Sequence, residues 1–226
     1  MKNLKNYINN CTNESIWDIE DNVESDNKEF ILNEVKRFIK DNYSVVDLKS
    51  LTFVFDKEKY IVGCNSNLGL GSGAKSLTNG LFEWGTVEWW FDCSECKKLE
   101  SLEGAPKTVG ENFYCNGCSI TSLKGAPEEV NGSFYCYKCP KLESLEGAPK
   151  IVGKAFNCSE CPRLTSLKGA PGHVGWNFYC SNCAKLESLK GAPKNIGGDF
   201  NCTGCPKLST LDGIGKVTGE IFSDIK

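Results

Sequence analysis

The sequence predicts an α+β protein in which an N-terminal helix and hairpin cap a parallel β-solenoid of about six 22-residue coils. Cysteine pairs of the form C-x-x-C begin at steps of 22, 21, 22, 22 and 22 residues. A short apolar–polar alternation precedes each pair, and a Gly-Ala-Pro turn follows most of them. The pairs are Cys93/Cys96, Cys115/Cys118, Cys136/Cys139, Cys158/Cys161, Cys180/Cys183 and Cys202/Cys205. A fixed period of this length is typical of solenoids.

The repeat unit reads V-G-x-x-F-x-C-x-x-C-x-x-L-x-S-L-x-G-A-P-x-x. In one copy, Phe113 and Cys115 are expected to point to one side of a short strand and Tyr114 to the other. Two leucines add further inward side chains, and the turn at residues 104–106 bends the chain back. Because one coil cannot bury these side chains alone, neighbouring copies must stack into a continuous core.

This unit resembles the leucine-rich repeat pattern L-x-x-L-x-L-x-x-N/C-x-L. Phe113 and Cys115 match the two strand leucines, and Cys118 matches the asparagine-or-cysteine position. The resemblance covers residues from about 76 to 226. The short convex side is similar to bacterial repeats of secreted effectors and to tailed-phage proteins, which implies a bacterial or phage origin. The Gly-Ala-Pro turn and the strand cysteine depart from the standard pattern.

The repeat divides the chain into a solenoid over residues 76–226 and an N-terminal segment with a small α+β cap over residues 1–75. Residues 27–42 predict an amphipathic helix, and residues 45–55 and 59–64 predict a hairpin. The apolar face of the helix consists of Phe30, Ile31, Val35, Phe38 and Ile39. Within the first 26 residues, a short docking helix is expected to carry Leu4, Tyr7, Ile8 and Cys11.

The repeat cysteines allow three interpretations. Two successive C-x-x-C pairs match the spacing of a four-cysteine zinc site. Disulfides are a second interpretation, although the sequence shows no secretory signal at its start. The favoured interpretation is a ladder of reduced, buried thiols, because each cysteine stands where the repeat requires a small inward side chain. No bound metal or other cofactor is therefore expected.

Two weaker motifs suggest chemistry. Residues 69–76 differ by one residue, Ala74, from the phosphate-binding loop G-x-x-x-x-G-K-S. That loop needs a following helix, whereas residues 77–80 read as a repeat turn, so a connector is favoured. His173, the only histidine, falls after Pro171 and is expected in a solvated turn without a nucleophile beside it. No catalytic residue is predicted, and the protein is expected not to be an enzyme.

Composition argues against other classes of partner. The chain has 26 basic and 29 acidic residues and a net charge of −3, which disfavours nucleic acid as a partner. No apolar run approaches the roughly 20 residues that span a bilayer, so membrane association is not expected. The start of the sequence lacks the features of a secretory signal, which predicts a cytoplasmic protein.

Function is expected on the outward strand positions, which place one side chain per coil at intervals of about 4.8 Å. Tyrosine and asparagine prevail there, as on protein-recognition surfaces. The predicted partner-binding residues are Trp90, Asp92, Tyr114, Tyr135, Tyr137, Asn157, Tyr179 and Asn201. The expected function is a non-enzymatic scaffold that binds a protein in a bacterial host cell, with a structural or packaged virion component and a zinc-binding structural module as alternatives.

Overall fold

The structure, a computed structural model, describes residues 16–45, 48–56 and 59–225. The predicted docking helix with Leu4, Tyr7, Ile8 and Cys11 lies outside the described residues. Helix α1 spans Ile16–Asn42, so it begins earlier than the apolar periodicity predicted. Its apolar stripe buries Ile31, Val35 and Ile39 against the first strands of the solenoid. Helix α1 therefore covers one end of the core.

The predicted hairpin is confirmed, with a short strand and a 3-10 turn before it. Strand β1 spans Tyr43–Val45, and the turn spans Leu48–Ser50. Strands β2 (Leu51–Asp56) and β3 (Lys59–Cys64) pair antiparallel. Every second side chain of β3 is buried, as expected for a strand with one face on the core.

Two nine-stranded sheets run along the solenoid. The first, the phenylalanine sheet, begins with β1 and continues through β4 (Leu68–Leu70), β6 (Phe91–Asp92), β8 (Phe113–Tyr114), β10 (Phe134–Tyr135), β12 (Phe156–Asn157), β14 (Phe178–Tyr179), β16 (Phe200–Asn201) and β18 (Ile221–Phe222). The second, the valine sheet, begins with β2 and β3 and continues through β5 (Phe82–Val87), β7 (Thr108–Val109), β9 (Glu129–Val130), β11 (Ile151–Val152), β13 (His173–Val174), β15 (Asn195–Ile196) and β17 (Lys216–Val217). From β3 and β4 onward, all pairings are parallel.

The valine sheet is a feature that the sequence pattern did not predict. Its strands after β5 contain two residues each, which is too short for an alternation to be recognised. Each strand ends at an inward valine or isoleucine, and the chain then turns a corner into the phenylalanine sheet. His173 therefore lies in a strand rather than in a turn, with its side chain exposed to solvent.

The array begins one coil earlier than the cysteine pattern indicates. Cys64 lies opposite Val87, and Leu68 lies opposite Phe91, so residues 64–68 occupy the valine and phenylalanine positions of an additional coil. About seven coils of about 22 residues result. Both sheets continue across residue 75, where the sequence suggested a division between cap and solenoid.

A single file of phenylalanine rings fills the core behind the phenylalanine sheet. Consecutive ring centroids are 5.0 to 5.5 Å apart and the ring planes lie within 13° of parallel. The stacked residues are Phe91, Phe113, Phe134, Phe156, Phe178 and Phe200, and all are fully buried. The in-register pairing of the strands imposes this stacking, because each coil places the same side chain above its predecessor.

Two turns in each coil use the left-handed backbone region. The glycine of the Gly-Ala-Pro turn has a positive φ, for example 94° at Gly147, and a Cβ there would lie 2.5 Å from the backbone of Lys124. The residue before the second cysteine also has a positive φ, even where it is Glu95 or Glu160, both at 57°. These turns allow each coil to close within about 22 residues.

Candidate functional site

The eight predicted binding residues all lie on the outward side of the phenylalanine sheet, which is called the strand face here. Each is partly exposed, whereas the phenylalanines and cysteines between them are buried. Strand pairing aligns one row of these side chains along the solenoid. This central row consists of Asp92, Tyr114, Tyr135, Asn157, Tyr179, Asn201 and Phe222. Trp90 and Tyr137 belong to the flanking rows on either side.

The tyrosines of the strand face are held by their neighbours. The rings of Tyr114 and Tyr135 stack with centroids 5.0 Å apart, and Tyr137 meets Tyr135 edge-on. The amide of Asn112 donates to the hydroxyl of Tyr114 at 2.9 Å, and Asn177 donates to Tyr179 at 2.7 Å. Because these phenolic oxygens accept, their O–H groups remain free to donate to a ligand.

The polar residues of the central row also form hydrogen bonds to the backbone of their own coil. The side-chain oxygen of Asn157 accepts the backbone N–H of Ser159 at 2.9 Å. Asp92 and Asn201 make the same local bond to the residue two positions on. The side-chain oxygens of Asp92, Asn157 and Asn201 are therefore already used as acceptors, and the –NH₂ groups of the two asparagines are the groups left to donate to a ligand.

The row before the phenylalanines forms a second ladder, which the sequence analysis missed. Here the side chains that have an acceptor cap the backbone N–H of the equivalent residue on the next coil, so this row is called the cap position and its bonds the cap ladder. The bonds run from Ser133 to Asn112 (2.8 Å), Ala155 to Ser133 (3.2 Å), Asp199 to Asn177 (2.9 Å) and Glu220 to Asp199 (3.0 Å). Trp90 and Ala155 offer no acceptor, so the ladder is interrupted after each of them.

This ladder left a detectable signal in the sequence. Where the cap is asparagine or aspartate, the next coil has glycine just before its own cap position. The glycines are Gly132, Gly198 and Gly219, and a Cβ on them would lie 2.6, 2.1 and 2.2 Å from the cap oxygen. Where the preceding cap position holds Trp90, Ser133 or Ala155, the next coil has Glu111, Lys154 or Trp176 instead. Steric exclusion explains the pairing.

Two exposed tryptophans at the corner between the sheets were also not predicted as site residues. Trp89 and Trp176 are 56% and 59% exposed. The ammonium of Lys154 lies 5.8 Å from the ring centroid of Trp176 and 3.2 Å from a carboxylate oxygen of Glu111. Glu111 reaches across Gly132, which has no side chain to block the contact. Large exposed aromatic side chains of this kind favour an interaction surface.

The thirteen cysteines of the described chain are free thiols, and all are buried. The second cysteine of each pair donates its thiol proton to a backbone carbonyl of the preceding coil. For Cys118, Cys139, Cys161, Cys183 and Cys205 the acceptors are Cys93, Cys115, Cys136, Cys158 and Cys180, at 3.0 to 3.4 Å. These cysteines thus satisfy carbonyl groups in addition to filling the core.

Burial controls the protonation of these thiols. Desolvation raises the pKa of Cys115, Cys136 and Cys158 well above the usual range, and neighbouring thiols raise it further. Desolvation also raises the pKa of Cys96 and Cys139 to about 12. A thiol that stays protonated is a poor nucleophile and a poor metal ligand. In the described residues, no group of three or more His, Cys, Asp or Glu side chains is arranged to hold a metal ion.

The weaker motifs do not form a site. Leu68–Leu70 is a strand of the phenylalanine sheet, and residues 71–81, all described, contain no helix whose N-terminus could face a phosphate. The exposed side chain of His173 lies on the valine sheet, away from the strand face. None of the helices in the described ranges is both long enough and apolar enough to span a membrane.

Comparison of the chain with protein-family models, curated proteins and solved structures gives no match.

Proposed function

We propose that this protein is a non-enzymatic scaffold that binds a protein partner through the strand face. The observation that carries the proposal is the separation of roles within each two-residue strand. The inward residue is phenylalanine in almost every coil, whereas the outward residue varies among Asp92, Tyr114, Asn157 and their equivalents. Aromatic and amide side chains on a rigid frame lose little conformational entropy when they bind.

The low charge of this face supports the same proposal. Between β8 and β16 the outward positions are Asn112, Tyr114, Asn116, Ser133, Tyr135, Tyr137, Ala155, Asn157, Ser159, Asn177, Tyr179, Ser181, Asp199, Asn201 and Thr203. Only Asp199 among them is charged, although 24% of the whole chain is charged. Interface cores are depleted in charge and enriched in tyrosine. The outer turns instead carry exposed ion pairs such as Glu100 with Lys141, which suit a solvated surface.

The biological setting is part of the proposal. The resemblance to bacterial and tailed-phage leucine-rich repeats supports a protein that acts in the cytoplasm of a bacterial host cell, without nucleic acid or membrane as its partner. The alternative function is a structural or packaged virion component, in which the solenoid serves as a spacer. Recovery of the protein from purified virions supports that second function, whereas specific capture of a host protein supports the scaffold.

The test compares two triple variants in capture experiments from bacterial lysate. Replacement of Tyr114, Tyr135 and Tyr179 with alanine should abolish capture of any protein that the unmodified chain retains, because each anchor contributes about 2 kcal/mol or more. The matched control replaces Glu100, Lys124 and Glu146 on the outer turns, and capture should persist.

Both variants should stay folded, because neither set belongs to the buried core. Circular dichroism and the melting temperature check this point. Loss of capture in the outer-turn variant together with full capture in the tyrosine variant contradicts the assignment of the strand face.

A further inference from the structure

The strand face contains a trough between two tyrosine ridges. In the central row, Asn157 lies in register between Tyr135 and Tyr179. The two tyrosines are two coils apart, about 9.6 Å at the usual strand spacing. The side chains of β12 and its flanks, Ala155, Asn157 and Ser159, are the smallest set on any coil between β8 and β16. Tyr114 and Tyr135 stack on each other, whereas the shorter side chain of Asn157 stands between Tyr135 and Tyr179.

The trough offers hydrogen-bond donors, while many of its acceptors are already used. The oxygen of Asn157 accepts the N–H of Ser159, which leaves its –NH₂ group unused. Tyr179 accepts from the side chain of Asn177, so its O–H is available to donate. The backbone N–H of Asn177 receives no side-chain cap from the preceding coil, because Ala155 has no acceptor. A complementary ligand must therefore present acceptors.

We propose that this trough binds an uncharged, proline-rich segment of the protein partner. A polyproline II segment has carbonyl acceptors, and its prolines have no N–H groups that would need acceptors. Its pyrrolidine rings pack against aromatic side chains, as in other aromatic-lined grooves that bind such segments. One ring sits between Tyr135 and Tyr179, and a carbonyl oxygen accepts from the N–H of Asn177. The absence of charge in the trough excludes an ion-pair contribution.

This inference rests on the proposed function, since it identifies the partner segment that the strand face recognises. The probe is deca-L-proline, titrated into the ¹⁵N-labelled full chain while amide signals are recorded. Saturable shifts are expected for the backbone N–H of Asn177 and the side-chain –NH₂ of Asn157. A Gly-Ser peptide of the same length is neutral but lacks rings, and it should produce no saturable shifts.

Two variants test separately the hydrogen-bond donor, the N–H of Asn177, and the space between the two tyrosines. Ala155→Ser supplies the acceptor that Ser133 supplies one coil earlier, at 3.2 Å, and so occupies the N–H of Asn177. Its expected effect is a Kd for decaproline raised about three- to tenfold. Asn157→Tyr fills the trough with a ring, as tyrosine does at the same position in β10 and β14, and should abolish binding.

Asn195→Tyr is the matched control for the filled trough. It makes the same substitution at an exposed strand position, but Asn195 lies in β15 of the valine sheet, away from the strand face. Its decaproline affinity should stay within about twofold of the unmodified chain. The amide spectra also show whether each variant is folded.

Absence of saturable shifts in the unmodified chain overturns the proline-rich assignment, as does equal binding by Asn157→Tyr. If either occurs while the triple tyrosine variant still loses its captured protein, the scaffold function stands and only the nature of the segment is wrong. Capture that survives removal of the tyrosines instead contradicts the assignment of the strand face, on which both proposals rest.

Discussion

The two sides of the phenylalanine sheet obey different rules although they alternate along the same strands. On the inner side, ring follows ring from Phe91 to Phe200 at an almost constant distance. On the outer side, the central row changes from coil to coil and includes both stacked tyrosines and capped asparagines. The repeat therefore fixes the core, while the outer positions are free to differ from coil to coil.

The largest expected effect concerns the inner side and alkaline pH. An unfolded thiol has a pKa near 8.5, whereas burial raises the pKa of the folded thiols, to about 12 for Cys96, Cys139 and Cys183. Below both pKa values the thiols are protonated in the folded and the unfolded chain, so they add no pH dependence to the free energy of unfolding. Above about pH 8.5 the unfolded chain loses protons that the folded chain retains, so each such thiol lowers the free energy of unfolding by about 1.4 kcal/mol per pH unit.

Because many thiols add up, the protein should unfold cooperatively between about pH 9 and pH 12. Urea unfolding at a series of pH values measures this slope, and iodoacetamide labelling at neutral pH should leave the buried cysteines of the described coils unmodified. Cys161→Ala should reduce the slope by the share of one thiol. A free energy of unfolding that stays constant up to about pH 10.5 contradicts the buried ladder.

A smaller effect separates the two sides of the phenylalanine sheet. Phe156→Ala should lower the free energy of unfolding by about 3 to 5 kcal/mol, because the ring is fully buried between two stacked neighbours. Tyr135→Ala on the outer side should cost less than about 1.5 kcal/mol, since its ring is partly exposed. Urea denaturation of both variants checks the difference, and equal losses would show that the outer row is part of the core.

The smallest effect concerns the cap ladder, whose hydrogen bonds join each coil to the next. Asn112→Ala removes the acceptor for the N–H of Ser133 and the donor to Tyr114, and should cost about 1 kcal/mol. Asn112→Ser retains an acceptor of the kind that Ser133 provides and should recover about half of the loss. If alanine and serine give the same stability as asparagine, the ladder contributes nothing measurable.

The repeat, its period and the division of Phe113 and Tyr114 between inside and outside were predictable from the amino-acid sequence alone. These features follow from spacing and alternation, and each copy reinforces the others. The amphipathic helix and the hairpin of residues 51–64 were predictable for the same reason, because local periodicity reveals which side is buried.

The hydrogen bonds between coils were not predictable from the sequence. The valine sheet, the thiol bond from Cys118 to the carbonyl of Cys93 and the caps from one coil to the next all join residues that are about 22 positions apart or more. Such contacts depend on the rotation from coil to coil, which local periodicity does not encode. The trough beside Asn157 arises in the same way, because the tyrosines that form its walls belong to two other coils.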